Sequence, residues 1–211
     1  MTAHRCLQAA QLPGVLDLAP AYTTLGVFFD PIAATNAGAP PGNVTGWYEQ
    51  RIRGALANCN KMKAGPTRPG VVDVPVCYDP EFGLDRGEVA NRAGLSIQKV
   101  VDMHCGADYR VHCVGFTPGF PFLGGLPKKL ATPRRSTPRK EIPAGSVAIG
   151  GEQTGIYPVK SPGGWNVIGR TPLRLFDPNK NPPALFQPGD RVRFQVITRQ
   201  EFEKLNSSAQ A

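Results

Sequence analysis

Apolar and polar positions change period several times along the chain. HRCLQAAQ predicts a short helix from about His4 to Gln11, and two strands follow, VLDLAPAY and TTLGVFFD, the second alternating Leu25, Val27 and Phe29. Residues Pro31 to Gly46, rich in Ala, Pro, Gly and Asn, read as a connection. A helix comes next, with Tyr48, Ile52, Ala55, Leu56 and Cys59 on one face. KMKAGPTRPG, Lys61 to Gly70, has linker composition, which divides the chain into a small α+β domain, 1–70, and a second domain, 71–211.

The second domain opens with a strand, VVDVPVCYD. Asp85 and Glu88 then have the spacing of a capping box, for a helix that Gly94 stops. In the helix after Ser96, Ile97, Val100, Val101 and His104 recur at i, i+3, i+4 and i+7, which puts His104 on the apolar face. From Tyr109 the pattern turns to short strands between glycine and proline turns: YRVHCV, SVAIG, TGIYPV, WNVIG, TPLRLFD and DRVRFQVI. So many short strands predict a mainly β closed barrel, with RQEFEKLNSS a short terminal helix or tail. GFTPGFPFLGGL, Gly115 to Leu126, interrupts them, and its four glycines and two prolines predict a loop rather than a central strand. Phe116, Phe120 and Phe122 would each contribute about 1.5–3 kcal/mol on burial, so that loop should be packed and rigid.

A net charge of +8 on 211 residues suits anionic partners without choosing among them. The charge concentrates in KKLATPRRSTPRK, where proline steps hold Arg134 and Arg139 and a guanidinium fork matches carboxylate or phosphate. No RNA- or DNA-binding motif accompanies it, so nucleic acid is set aside. No stretch reaches the roughly 18 apolar residues of a membrane span, and the first residues lack the apolar core of a secretory signal; the expectation is a soluble, cytoplasmic protein. Its five cysteines, odd in number and not closely paired, are expected as reduced and mostly buried thiols. No GxxxxGK[ST] loop is present, and the loop glutamates Glu141 and Glu152 are too commonplace to assign a metal site.

GFTPGFPFLGGL, with ATPRRSTPR, IPAGSVAIGGEQTGIYP and SPGGWNVIGRTPLRLFDP after it, closely resembles the family of 5-oxoprolinase B-type subunits, also labelled allophanate hydrolase subunit 1 or sensor histidine kinase inhibitor. The likeness runs from about Val74 to Ile197, with LPGVLDLAPAYTTLGVFFDP a weaker match. It implies a ferredoxin-like first domain and a cyclophilin-like barrel. The first domain is expected to be incomplete, because family members begin with an extra central strand. It also implies one component of an enzyme that opens the 5-oxoproline lactam to glutamate at the expense of ATP, inactive alone, with C-like and A-like partner chains of 5-oxoprolinase and with ATP and Mg2+ at a site shared with a partner.

The sequence itself offers His104, which titrates near neutrality, and Arg134 and Arg139, whose forks suit an anion, as the catalytic candidates. Under the resemblance the pocket candidates are Phe116, Pro118, Phe120 and Phe122 of the aromatic stretch, and Gln153, Thr154, Tyr157, Ser161 and Arg170 between glycines that admit a ligand. Trp165 is expected in the core. The family's other labels leave two alternatives: a component of an allophanate hydrolase or carboxyl-transfer enzyme, and a non-catalytic inhibitor of a sensor histidine kinase.

Overall fold

The computed structural model describes residues 2–59 and 70–208. The chain divides into two compact units, Met1–Arg68 and Pro69–Ala211. In the first, α1 (Thr2–Ala10) precedes a hairpin of β1 (Val15–Ala21) and β2 (Thr24–Phe29), then come α2 (Pro31–Asn36) and α3 (Val44–Ala57). Helix α2 lies where a plain connection is expected. Its start is encoded by Asp30, whose carboxylate accepts from the N–H groups of Ile32 and Ala33, and by Pro31, whose missing N–H is harmless in a first turn. Asn43 caps α3 in the same manner, through the N–H of Gly46. The core gathers Ala34, Ala39, Trp47 and Tyr48, and the Tyr48 hydroxyl donates to the Pro13 carbonyl at 2.5 Å.

This unit's sheet has two strands among the described residues, not the four of a ferredoxin-like sheet. A second departure is covalent. Cys6 of α1 and Cys59, just beyond α3, are joined as a disulfide with Cα atoms 5.7 Å apart, within the reach of such a bond, so these two are not the reduced thiols expected. Cys77, Cys105 and Cys113 are free. The expected linker, Lys61 to Gly70, lies outside the described residues except for Gly70.

The second unit is built on a seven-stranded sheet in the order β10-β7-β8-β5-β4-β11-β3. Its strands are β3 (Val71–Val76), β4 (Tyr109–Val114), β5 (Pro121–Gly124), β7 (Ser146–Gly150), β8 (Gln153–Ile156), β10 (Asn166–Arg170) and β11 (Arg191–Val196), and β6 (Arg139–Ile142) pairs apart from them with β9 (Ser161–Gly163). All neighbours are antiparallel except β11 and β3. The sheet nearly closes on itself, because Cys77, following β3, and Arg170, ending β10, exchange both backbone hydrogen bonds at 2.8 and 2.9 Å. Val74, Val111, Leu123, Val147, Ile156 and Ile168 fill the core; α4 (Arg86–Ala93) packs beside β10 and α5 (Ile97–Cys105) beside β11. Terminal helix α6 (Arg199–Ser208) buries Phe202 against Phe82. No helix among the described residues is long and apolar enough to cross a membrane.

Three local expectations are corrected. The second half of GFTPGFPFLGGL is a central strand, β5, between β4 and β8. Pro121 is tolerated because it is the strand's first residue, where one lost donor does not break the ladder. TPLRLFD is not a barrel strand; Leu175 is buried, but its carbonyl pairs locally with the Leu185 N–H and Phe176 bridges to Ala184. The capping box at Asp85 is not formed, since that carboxylate is engaged elsewhere.

Candidate functional site

Phe120 is the centre of an aromatic cluster. It is 2% exposed and meets Phe116, Tyr157 and Trp165 edge to face, with ring centroids 5.7, 5.2 and 5.6 Å away, and Phe122 at a tilt, 4.8 Å away. Such geometries add about 0.5–1.5 kcal/mol per pair beyond area burial. The rings line a recess of about 300 Å3, completed by Arg134 and by Pro138, Pro162 and Gly163 at the paired strands β6 and β9. The glycines here serve the rings. A Cβ at Gly150 would collide with Trp165, at Gly155 with Phe120 and at Gly163 with Tyr157, so their absence lets aromatic faces lie against the strands. That differs from the expected use of these glycines, close approach of backbone to a ligand.

The loop entering β5 is held tightly. Gly115 N–H donates to Phe120 O and Phe120 N–H to Thr117 O, both at 3.0 Å. Gly119, at φ +84°, lies where a Cβ would strike Phe176 and Leu175. Phe116 takes a left-handed φ of 70° and is 70% exposed, a strained backbone holding an aromatic ring outward. Pro118 is exposed in the same loop.

Arg134 is the cation of this recess. Its guanidinium carbon lies 5.8 Å from the Trp165 ring centroid, and it has no carboxylate partner among the described residues. Arg139 is placed differently. Its Nη1 and Nη2 donate to Asp85 Oδ2 and Oδ1 at 2.7 and 2.8 Å, Arg135 Nη1 donates to Oδ1 at 2.8 Å, and the Val167 N–H donates to Oδ2 at 2.7 Å. The Asp85 carboxylate is 4% exposed and fully satisfied. Arg139 thereby braces the β6 side of the recess, while Arg134 lines the recess without such a tie among the described residues. Asp85 is hidden from sequence reasoning because its partners lie 50 and 54 positions away.

His104 is buried and borders neither recess nor surface. Its tautomer follows from its neighbours. Thr154 Oγ1 donates to the Ala148 carbonyl at 3.0 Å, so it accepts from His104 Nε2–H at 3.0 Å; Nδ1 then accepts from the Tyr78 hydroxyl at 2.8 Å, which accepts from Cys105 Sγ. Burial drops the imidazole pKa from 6.5 to about 3. A neutral, doubly bonded ring stacked 4.4 Å from Phe194 is a core fixture. Thr154 belongs to the same chain of hydrogen bonds.

The other candidates are dispersed. Gln153 lines an open hollow of about 570 Å3 with His112, Glu152 and, at its edge, Arg134. Ser161 faces Ile142 in the two-stranded β6–β9 sheet, its hydroxyl oxygen buried without a partner. Arg170 lies 5.3 Å over Phe82 at the barrel's closure, and burial lowers its pKa. Burial raises the Tyr157 phenol, opposed by a backbone hydrogen bond at Trp165 and by the charges of Arg134 and Arg139. Among the described residues no group of three or more His, Cys, Asp or Glu could hold a metal ion, and Glu141 is paired with Lys160 at 2.8 Å. This donor set does not by itself fit a Mg2+-nucleotide site.

Known proteins share this arrangement. A family model described as the carboxyltransferase domain, subdomain C and D, matches residues 1–186. The chain is 41% identical over 201 residues to the 5-oxoprolinase B-type subunit of Bacillus subtilis, covering 93% of this chain and 81% of the relative. It is 53% identical over 123 residues to the 5-oxoprolinase B-type subunit of Escherichia coli O157:H7, covering 58% of this chain and 56% of the relative. Its fold matches the crystal structure of TTHA0988 with a TM-score of 0.76 at 39% identity, over 93% of this chain and 36% of that one. At 18% identity it shares the fold of part of the K. lactis urea amidolyase, with a TM-score of 0.72 over 99% of this chain and 14% of that one. The chain thus spans most of the Bacillus relative, little more than half of the Escherichia relative and about a third of TTHA0988. With an aromatic recess built on the very stretch that carries the likeness, the chain belongs to the family of 5-oxoprolinase B-type subunits.

Proposed function

We propose that this chain is the B-type subunit of an ATP-dependent 5-oxoprolinase and that its aromatic recess receives the 5-oxoproline ring. The ligand chemistry has two parts, a compact ring with methylene faces and a carboxylate. Phe120, Phe122, Tyr157 and Trp165 offer apolar faces to the first, and Arg134 offers a fork to the second. The observation that supports the reading is the contrast between two arginines of one segment: Arg139 is tied to Asp85, whereas Arg134, beside the rings, has no acid partner among the described residues. In this reading the lactam carbonyl is held at the recess while water, in the complete assembly, opens the C–N bond to give glutamate. ATP and Mg2+ bind at a site completed by the C-like and A-like chains. The isolated chain is inactive in this reading, because its recess brings no nucleophile and base together and no group of three or more His, Cys, Asp or Glu among the described residues could hold a metal ion.

The test is 5-oxoproline-dependent ATP hydrolysis by the assembly reconstituted with its partner chains. Arg134→Lys should raise KM for 5-oxoproline about tenfold, since an ammonium cannot reproduce the two-pronged contact. An unchanged KM, or turnover by this chain alone, overturns the reading. Urea in place of 5-oxoproline tests the carboxyl-transfer alternative in the same assay.

A further inference from the structure

Arg134 also borders a second recess, of about 220 Å3, where it is joined by Arg92 of α4, Arg135, Ser136 and Glu88. Arg92, like Arg134, has no acid partner among the described residues. Arg135 shares the single carboxylate of Asp85 with Arg139. The recess is lined by three guanidinium groups, Arg92, Arg134 and Arg135, against one carboxylate, Glu88, a surplus of two positive charges, while Asp85 and Arg139, outside the lining, offset each other. Arg135 Nε is in addition buried with no acceptor.

The backbone of this recess is fixed before any ligand arrives. Asn166 Nδ2 donates to the carbonyls of Pro133 and Ile149 at 2.8 and 3.2 Å, Thr132 and Gly151 exchange backbone hydrogen bonds at 3.1 and 2.7 Å, and Arg135 N–H reaches Gly164 O at 2.7 Å. Those donors are engaged in holding the loop. The free ends of Arg92 and Arg134 and the exposed Ser136 remain for a ligand. A doubly charged tetrahedral oxyanion matches both the surplus and the planar forks.

We propose that the recess bordered by Arg92, Arg134, Arg135 and Ser136 is a phosphoryl-binding subsite of this chain, taking the dianionic phosphate of a phosphorylated small molecule or of a nucleotide. It stands on its own charges and does not need the reading of the aromatic recess. Arg134 borders both recesses and links them.

Equilibrium dialysis of the full chain against labelled inorganic phosphate, at ionic strength held constant with chloride, tests it. One saturable site per chain is expected, weakened about tenfold or more by Arg92→Gln and by Arg134→Gln, as follows from losing a charge-assisted contact. Glu88→Gln, which removes the opposing charge, should tighten binding several-fold and guards against a loss that merely reports misfolding. Lys128→Gln and Lys129→Gln, outside the recess, should bind as the parent does. Metal-free ATP that displaces phosphate at lower concentration than phosphate itself assigns the subsite to a nucleotide; displacement by phosphate alone assigns it to a phosphorylated small molecule. Absence of saturable binding, or full binding by Arg92→Gln, overturns the proposal. No 5-oxoproline is present, so either result leaves the KM test of the aromatic recess intact.

Discussion

Arg139 holds the buried Asp85 with both terminal nitrogens, at 2.7 and 2.8 Å, across 54 positions of sequence. The pair ties β6 to the start of α4 and, through the Val167 N–H on the same carboxylate, to β10. It thus fixes one wall of the aromatic recess to the barrel. A buried pair of this kind is costly to break from one side, because the other charge remains desolvated.

Asp85→Asn should therefore lower the stability of the second unit by about 3–5 kcal/mol, since an amide cannot accept from four donors and places its own NH2 against guanidinium groups. Arg139→Lys should lose less, because Arg135 still serves the carboxylate at 2.8 Å. Urea denaturation followed by near-ultraviolet circular dichroism reads both. A loss under about 0.5 kcal/mol for Asp85→Asn, the size of an ordinary surface change, would make the cluster peripheral.

His104 gives a pH prediction. Its folded pKa is depressed by burial to about 3, below the ordinary 6.5, so between these values the unfolded chain binds a proton that the folded one refuses. Its contribution is complete above pH 6.5 and falls as pH drops toward 3, by about 1.4 kcal/mol per unit. Tyr78 and Tyr109, which face the ring, and Cys105, which donates to Tyr78, are raised by burial and stay neutral throughout that range. From pH 8 to pH 5 the parent should lose about 2 kcal/mol more than His104→Gln does. Equal slopes in the two proteins would show that the ring is protonated in the fold. Thr154→Val should cost about 1–3 kcal/mol by stranding Nε2–H, with Thr154→Ser recovering most of it.

Much of the barrel is legible in the sequence because DRVRFQVI alternates and its faces agree with burial, while SVAIG, small or apolar throughout, is buried on both faces. Strand β5 is not, because Pro121, Gly124 and Gly125 carry loop statistics that the neighbouring β4 and β8 override by pairing on both sides. TPLRLFD fails in reverse. Leu173 and Leu175 alternate as a strand's would, yet they dip into the core from a segment whose pairing beyond Thr171 is local, with residues 183–185. In the site, the aromatic stretch and Arg134 carry local signals, a costly apolar run and a cation fixed between prolines. The separate duties of Arg134 and Arg139 do not, since they depend on where a distant aspartate is folded.

The bond between Cys6 and Cys59 spans 53 positions, and a cross-link of that length removes about 4 kcal/mol of loop-closure freedom from the unfolded chain. With the chain denatured without reductant, a thiol reagent should titrate Cys77, Cys105 and Cys113 only. Prior reduction should expose all five thiols and lower the stability of the first unit while leaving the second unchanged. Five reactive thiols before reduction would remove the cross-link.

Phe116 and Phe120 occupy one loop yet should respond in opposite ways to truncation. Phe120 is 2% exposed and touches four other rings, so Phe120→Ala should cost about 3–5 kcal/mol. Phe116 is 70% exposed and takes a left-handed φ of 70°, a conformation that costs a residue with a Cβ about 1–2 kcal/mol. Phe116→Gly relieves that strain while freeing the unfolded chain, two effects of similar size, so stability should move by less than about 1 kcal/mol. Its effect should fall on the ligand instead. Losing one edge-to-face wall of the recess, worth about 0.5–1.5 kcal/mol, should weaken 5-oxoproline binding about two- to tenfold. Denaturation and labelled-ligand dialysis on the same two variants separate the cases: a Phe116→Gly chain as unstable as Phe120→Ala would make Phe116 a core anchor. One with parent stability and parent affinity would leave its strained, outward ring without a part in the recess.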